Sequence, residues 1–105
     1  MSLVDRALAD GQAVMPGPVL SELLSDPKID SRVVDSIGQV PLLEPTSGFW
    51  ERAGRLRASV LAGKRRAQLT DAMIAQLCLD HRVHLITRDR DFRVFAESAG
   101  LGLAV

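Results

Sequence analysis

The run Val83-His84-Leu85-Ile86-Thr87 is the plainest strand signal in the chain, and it opens directly onto Arg88-Asp89-Arg90-Asp91-Phe92. Five residues that are mostly aliphatic and bounded by charges suit a short buried strand better than a helix. Upstream, Thr70 to about His81 reads as a strongly apolar helix with Thr70 as its N-cap. Downstream, Asp91 is placed to cap a helix running through Ser98 and ended by Gly100. A last short strand follows over Leu101–Val105. Strand, helix, strand in this order predicts an α/β fold with a mainly parallel sheet. Such sheets bind ligands beyond the C-terminal ends of their strands. Asp89, two residues past the Val83–Thr87 strand, therefore becomes the first candidate site residue.

Working back toward the N-terminus, the alternation continues without repeat, low-complexity tract or linker, so a single domain over residues 1–105 is expected. Leu3 to Ala9 reads as a short helix closed at Asp10-Gly11, and Ala13 to Met15 as a short strand. Gly17-Pro18 opens a helix whose apolar face is Val19, Leu20, Leu23 and Leu24. Asp26-Pro27 ends it, and Asp30 or Ser31 begins another helix through Ile37. Val40 to Leu43 reads as a strand, with Pro41 favouring an edge position. Thr46-Ser47 is expected to cap a longer helix reaching about Ala62, followed by the basic loop Gly63-Lys64-Arg65-Arg66.

Composition narrows the function classes. Thirteen basic residues balance thirteen acidic ones, which argues against binding to nucleic acid through bulk charge and leaves room for local patches. The lone Cys78 has no disulfide partner, and its apolar setting, Met73-Ile74-Ala75-Gln76-Leu77-Cys78-Leu79, suits a buried thiol. No signal peptide and no apolar run of about 18 residues is evident, so a cytoplasmic protein without a membrane partner is expected.

Three acids stand out because parallel α/β topology brings the ends that carry them to one edge of the sheet. Asp71 lies in the first turn of the apolar helix, where peptide dipoles favour negative charge. Glu22 projects away from the apolar centre of the helix opened by Pro18, and Asp89 follows its strand. Each has a plain alternative: Asp71 complements a helix dipole, Glu22 is a solvated helical side chain, and Asp89 makes a local turn hydrogen bond. Together they are hard oxygen donors of the kind that hold Mg2+ or Mn2+. Anions gathered at one place repel one another unless a cation intervenes.

Three segments resemble successive motifs of PIN domains, most closely the VapC-like toxins of bacterial toxin–antitoxin pairs. They are Pro16-Gly17-Pro18-Val19-Leu20-Ser21-Glu22-Leu23-Leu24, then Thr70-Asp71-Ala72-Met73-Ile74-Ala75, then Leu85-Ile86-Thr87-Arg88-Asp89-Arg90-Asp91-Phe92. The resemblance spans nearly the whole chain. It implies a three-layer α/β/α fold and a Mg2+- or Mn2+-dependent endoribonuclease that hydrolyses RNA phosphodiester bonds. Glu22, Asp71 and Asp89 would be its second, third and fourth metal-binding acids, Asp91 an accessory acid, and Thr87 a polar neighbour. It also implies a homodimer and a cognate antitoxin that inserts a segment into the cleft. Members begin with a central strand ending in the first acidic ligand, and this chain is expected to lack it. Asp5, only 17 positions before Glu22 and inside the helix expected over Leu3–Ala9, is a poor substitute. Without that strand its neighbours must pair directly, or another chain must fill the gap.

Residues 51–66 are the most basic region, with Arg52, Arg55, Arg57, Lys64, Arg65 and Arg66. Arg65 and Arg66, with Arg88, are the candidate RNA-phosphate contacts, against the alternative of a solvated helix face and loop. Phe49 and Trp50 are expected in the core or at a dimer contact rather than as base-stacking groups. Two other function classes stay open. One is a catalytically impaired remnant that binds RNA or antitoxin; cleavage assays on an Asp89 variant separate it from the enzyme. The other is a phospho-receiver or nucleotide-binding domain, which the absence of a G-x-G-x-x-G or P-loop pattern weakens.

Overall fold

The computed structural model describes residues 14–86 and 89–104, which divide into two compact units, Met1–Glu44 and Pro45–Val105. The helix expected over Leu3–Ala9 lies outside the described residues, as do Asp5, Thr87, Arg88 and Val105. The architecture is α/β, and every strand pairing is parallel, as the alternation of elements predicts. Among the described residues the pairing takes the form of two separate two-stranded ladders.

In the first unit, β1 (Met15–Pro16) pairs with β2 (Leu42–Leu43) in the register Met15 to Leu42. The Met15 N–H donates to the Pro41 carbonyl at 2.9 Å. Pro41 thus lies just before the strand it was expected to occupy, where its missing N–H does no harm. Helix α1 (Gly17–Leu24) starts directly after β1 and packs on it, with Pro18 in its first turn. Helix α2 (Ser31–Gly38) is capped by Asp30, whose Oδ1 accepts from the Arg32 N–H at 2.8 Å. Neither helix buries a residue. Leu23 and Leu24 stay exposed despite the apolar face that the sequence marks on α1, and so do Val33 and Val34 on α2.

The second unit holds the core. Helix α3 (Phe49–Ala62) packs along helix α4 (Leu69–His81), joined by six residues, and so short a connection makes the two antiparallel neighbours. Phe49, Ala53, Leu56 and Val60 recur at helical spacing and are buried. On α4, Ala72, Ile74, Ala75, Leu77 and Cys78 are buried on nearly every side. A buried side chain of the size of Phe49 or Leu56 contributes about 1.5–3 kcal/mol relative to exposure. Strand β3 (Leu85–Ile86), a 3-10 turn (Arg90–Phe92), helix α5 (Arg93–Ala99) and strand β4 (Leu103–Ala104) complete the unit. Phe92, Val94, Phe95 and Leu101 are buried there. Gly100 ends α5 in the left-handed region at φ 74°, the role its position suggested.

One polar network clamps the α3–α4 pair. Arg52 donates from Nε to Asp80 Oδ1 at 3.1 Å and from Nη2 to Asp80 Oδ2 at 2.7 Å, linking the start of α3 to the end of α4. The same guanidinium donates to the Ser47 carbonyl at 2.8 Å and to Thr46 Oγ1 at 2.9 Å. Thr46 and Ser47 therefore serve Arg52 and do not cap α3 with a side chain. Gly48 is the N-cap, at φ 80°, and a Cβ there would lie 2.7 Å from Arg52 Nη1. Buried Gln76 donates to Asp80 Oδ1 at 2.8 Å, so the only buried polar residue among those described is satisfied. The Arg52 guanidinium, with help from Gln76, holds the Asp80 carboxyl below its ordinary range, outweighing desolvation that acts the other way.

The end of α4 is unusual. Arg82 sits in the left-handed region at φ 55°; its N–H donates to the Leu79 carbonyl at 3.2 Å and that of Val83 to the Cys78 carbonyl at 3.0 Å. This is the paired closure normally built on glycine. Replacing Arg82 with Gly removes the Cβ penalty and is expected to raise stability by about 1 kcal/mol, read from urea denaturation. A second expectation concerns acid. Because the native Asp80 pKa is depressed, its contribution is complete above the unfolded value of about 3.9 and disappears as pH falls through the lower native value. Asp80→Asn should cost about 2 kcal/mol at neutral pH. The gap from the unsubstituted protein should close below about pH 4.

Candidate functional site

Asp71 and Asp89 both belong to the second unit, and each is set by local backbone. Helix α4 begins at Leu69 with Gln68 as its N-cap, and no side chain caps it. The expected N-cap, Thr70, is instead the second helical residue. The shift leaves Asp71 as the third residue of the helix, half-exposed in its first turn, where the helix dipole favours its negative charge.

Asp89 replaces Asp91 in the capping role. Its Oδ1 accepts from the Asp91 N–H at 2.9 Å and so caps the 3-10 turn Arg90–Phe92; Asp91 is exposed inside that turn. The sequence points to Asp91 as the cap because it directly precedes the segment expected to be helical. The extra 3-10 turn before α5 gives that role to Asp89. That turn packs against α4, the helix whose first turn carries Asp71, with Phe92 as its buried anchor. The local turn bond foreseen as the plain alternative for Asp89 therefore exists, and it fixes the carboxylate just beyond β3.

Glu22 lies in the first unit, exposed in the last turn of α1. Among the described residues no three His, Cys, Asp or Glu side chains are gathered closely enough to hold a metal ion. The donor chemistry of Glu22, Asp71 and Asp89 is right for a hard divalent cation, since all three offer carboxylate oxygens.

The basic residues divide by engagement. Arg52 is committed to Asp80, and Arg57 donates from Nε to the Ala67 carbonyl at 2.9 Å, tying down the loop after α3. Arg65 pairs with Glu97 of α5, and both side chains are largely exposed, so the pair adds little and leaves Arg65 able to exchange partners. Arg66 is exposed as expected. Phe49 and Trp50 part ways. Phe49 is buried in the core, but Trp50 is 65% exposed with its ring set edge-to-face against Phe49.

A shallow depression of about 290 Å³, lined by Cys78, Arg82, His84 and Gly102 among others, lies before β3 and β4, at the strand ends opposite Asp89. Burial pushes the Cys78 thiol up to about 11, so it stays protonated and is no nucleophile at neutral pH. Gly102 admits the His84 ring, whose Cδ2 would lie 2.2 Å from an added Cβ.

With an acid in the first turn of α4 and another capping the turn after β3, the comparison with family models is decisive: the PIN domain model matches residues 2–98. The chain belongs to the PIN domain family. Membership of the PIN family points to nuclease activity, with RNA as the substrate and divalent metal ions in general use. Comparison with curated proteins finds no significant match. Among the described residues no helix is long and apolar enough to cross a membrane.

The dual position of Asp89 gives a test. Asp89→Ala removes the cap and is expected to cost about 1 kcal/mol of stability. Asp89→Asn keeps an oxygen acceptor for the Asp91 N–H and should stay within a few tenths of a kcal/mol of the unsubstituted protein in thermal denaturation.

Proposed function

We propose that this PIN domain is a Mg2+- or Mn2+-dependent endoribonuclease acting as the toxin of a toxin–antitoxin pair. The observation that supports it best is the setting of Asp89. Its carboxylate accepts from the Asp91 N–H at the start of the 3-10 turn that follows β3 in the chain, and that turn packs against the helix bearing Asp71. The likeness of the three motifs around Glu22, Asp71 and Asp89 to VapC-like toxins supports the finer reading.

In this reading Glu22, Asp71 and Asp89 hold the ion, with Asp91 and Thr87 beside them. A bound divalent cation supplies charge neutralisation at the phosphate and a lowered pKa for water. The chain's own residues orient the reactants. The helix dipole supports the charge on Asp71, the Asp91 N–H fixes the direction of Asp89, and Arg65, Arg66 and Arg88 draw the RNA backbone in. No His, Ser or Cys nucleophile is required. The exposed aliphatic residues Leu23, Leu24, Val33, Val34 and Leu42 leave surface for partners, a second copy of the chain and the antitoxin. A cytoplasmic setting follows from the same reading.

Purified protein incubated with RNA and Mn2+ should cleave internally, and EDTA should stop the reaction. Changing groups that merely support a metal ligand costs about 10- to 100-fold, so Asp71→Asn and Asp89→Asn should each lose at least that much activity while circular dichroism stays unchanged. Cleavage that survives both substitutions, or that persists in EDTA, would sink the proposal.

A further inference from the structure

Trp50 is the only tryptophan of the chain, which has no tyrosine, and it stands 65% exposed while its neighbour Phe49 is fully buried. The two rings meet at 4.9 Å between centroids and 75° between planes. A buried, immobile ring thus braces the indole and leaves much of it open to solvent. On α3 the residues sharing its side are Gly54, Arg57, Ala58 and Leu61, at spacings of 4, 7, 8 and 11. Gly54 and Ala58 project little, so nothing tall stands beside the indole along the helix.

Charge distinguishes this face from an ordinary apolar seam. Residues 51–66 carry six cations and one acid, Glu51, in a chain whose charges balance only as a whole. Not all six are available. Arg52 is locked onto Asp80, and Arg65 meets Glu97. Arg55, Lys64 and Arg66 are exposed and pair with no acid among the described residues, and Arg57 uses only its Nε on Ala67. Arg57 lies two helical turns from Trp50, about 10 Å along the axis. Lys64 and Arg66 follow the far end of the same helix.

We propose that Trp50 is a base-stacking platform for single-stranded RNA, with the strand's phosphates carried along α3 by Arg57 and then by Lys64 and Arg66. Aromatic stacking beside a cationic track binds single strands with little regard to sequence, because every base has a flat face. The inference rests on the ribonuclease reading for its choice of RNA and deepens it by naming how substrate is gripped away from the acids. An apolar partner helix suits Trp50 and Leu61 but gives no role to Arg57, Lys64 and Arg66 farther along the chain.

The sole tryptophan makes its own probe. Titrating the protein with oligouridylate in low salt and EDTA, so that no cleavage occurs, should quench Trp50 emission to saturation. The affinity should fall steeply as salt rises. Trp50→Ala should weaken binding, followed by anisotropy of labelled RNA, by about 5- to 150-fold with circular dichroism unchanged. Lys64→Glu with Arg66→Glu should weaken it and flatten its salt dependence. RNA binding that leaves the emission of the unsubstituted protein unchanged overturns the platform. So does a blue shift that grows with protein concentration alone, which assigns the face to a second copy. The two readings fail separately: quenching without cleavage removes only the nuclease, and cleavage without quenching removes only the platform.

Discussion

The antiparallel contact between α3 and α4, clamped by Arg52 on Asp80, is the constraint from which the second unit follows. Apolar burial along the pair supplies most of its stability, but burial has no direction and tolerates sliding of one helix on the other. The two-pronged guanidinium–carboxylate bond has direction, and it joins the first turn of one helix to the last turn of the other. It thereby sets the register of the helices, and the position of Leu69, where α4 begins, follows. Asp71 inherits its place from that register. Gly48 belongs to the same device, since any larger residue would sit where the guanidinium passes on its way to Ser47.

Much of this was legible in advance, and the parts that were not share a cause. Helix α4, the strand through Leu85–Ile86, the buried Cys78 and the left-handed Gly100 all follow from local pattern, because apolar spacing and glycine act within a few residues. The parallel pairing follows from alternation of elements. The clamp does not, for Arg52 and Asp80 are 28 positions apart. Only the four-residue spacing of Gln76 and Asp80 hinted that this carboxylate had a local partner. Caps were misread wherever a second donor competed. Thr46 and Ser47 look like helix caps until Arg52 claims them, and Thr70 looks like one until the helix starts one residue before it, at Leu69.

The acids behave differently from the core. Sequence singles out Asp89 and Asp91 together, and backbone geometry separates them: one caps, the other is capped. A carboxylate that already accepts a backbone hydrogen bond has its direction set before any ligand arrives, which reduces the entropy lost when a cation or phosphate is engaged. The plain and the functional readings of Asp89 are therefore compatible, since the turn bond is what would aim its carboxylate. Glu22 has no comparable anchor on α1, where its side chain is exposed and makes no hydrogen bond among the described residues.

The two units also differ in how firmly each is built. The second unit is knit by a buried helix pair, a satisfied polar network and two left-handed helix closures. The first buries no residue of either helix and leaves its aliphatic faces in solvent. Local stability tracks buried apolar contact, so the first unit opens at lower free energy than the second. Within the second unit, Asp71 sits in the first turn of α4 and Asp89 is aimed by the Asp91 N–H, so both carboxylates are directed by backbone that the buried helix pair and its packed turn hold in place.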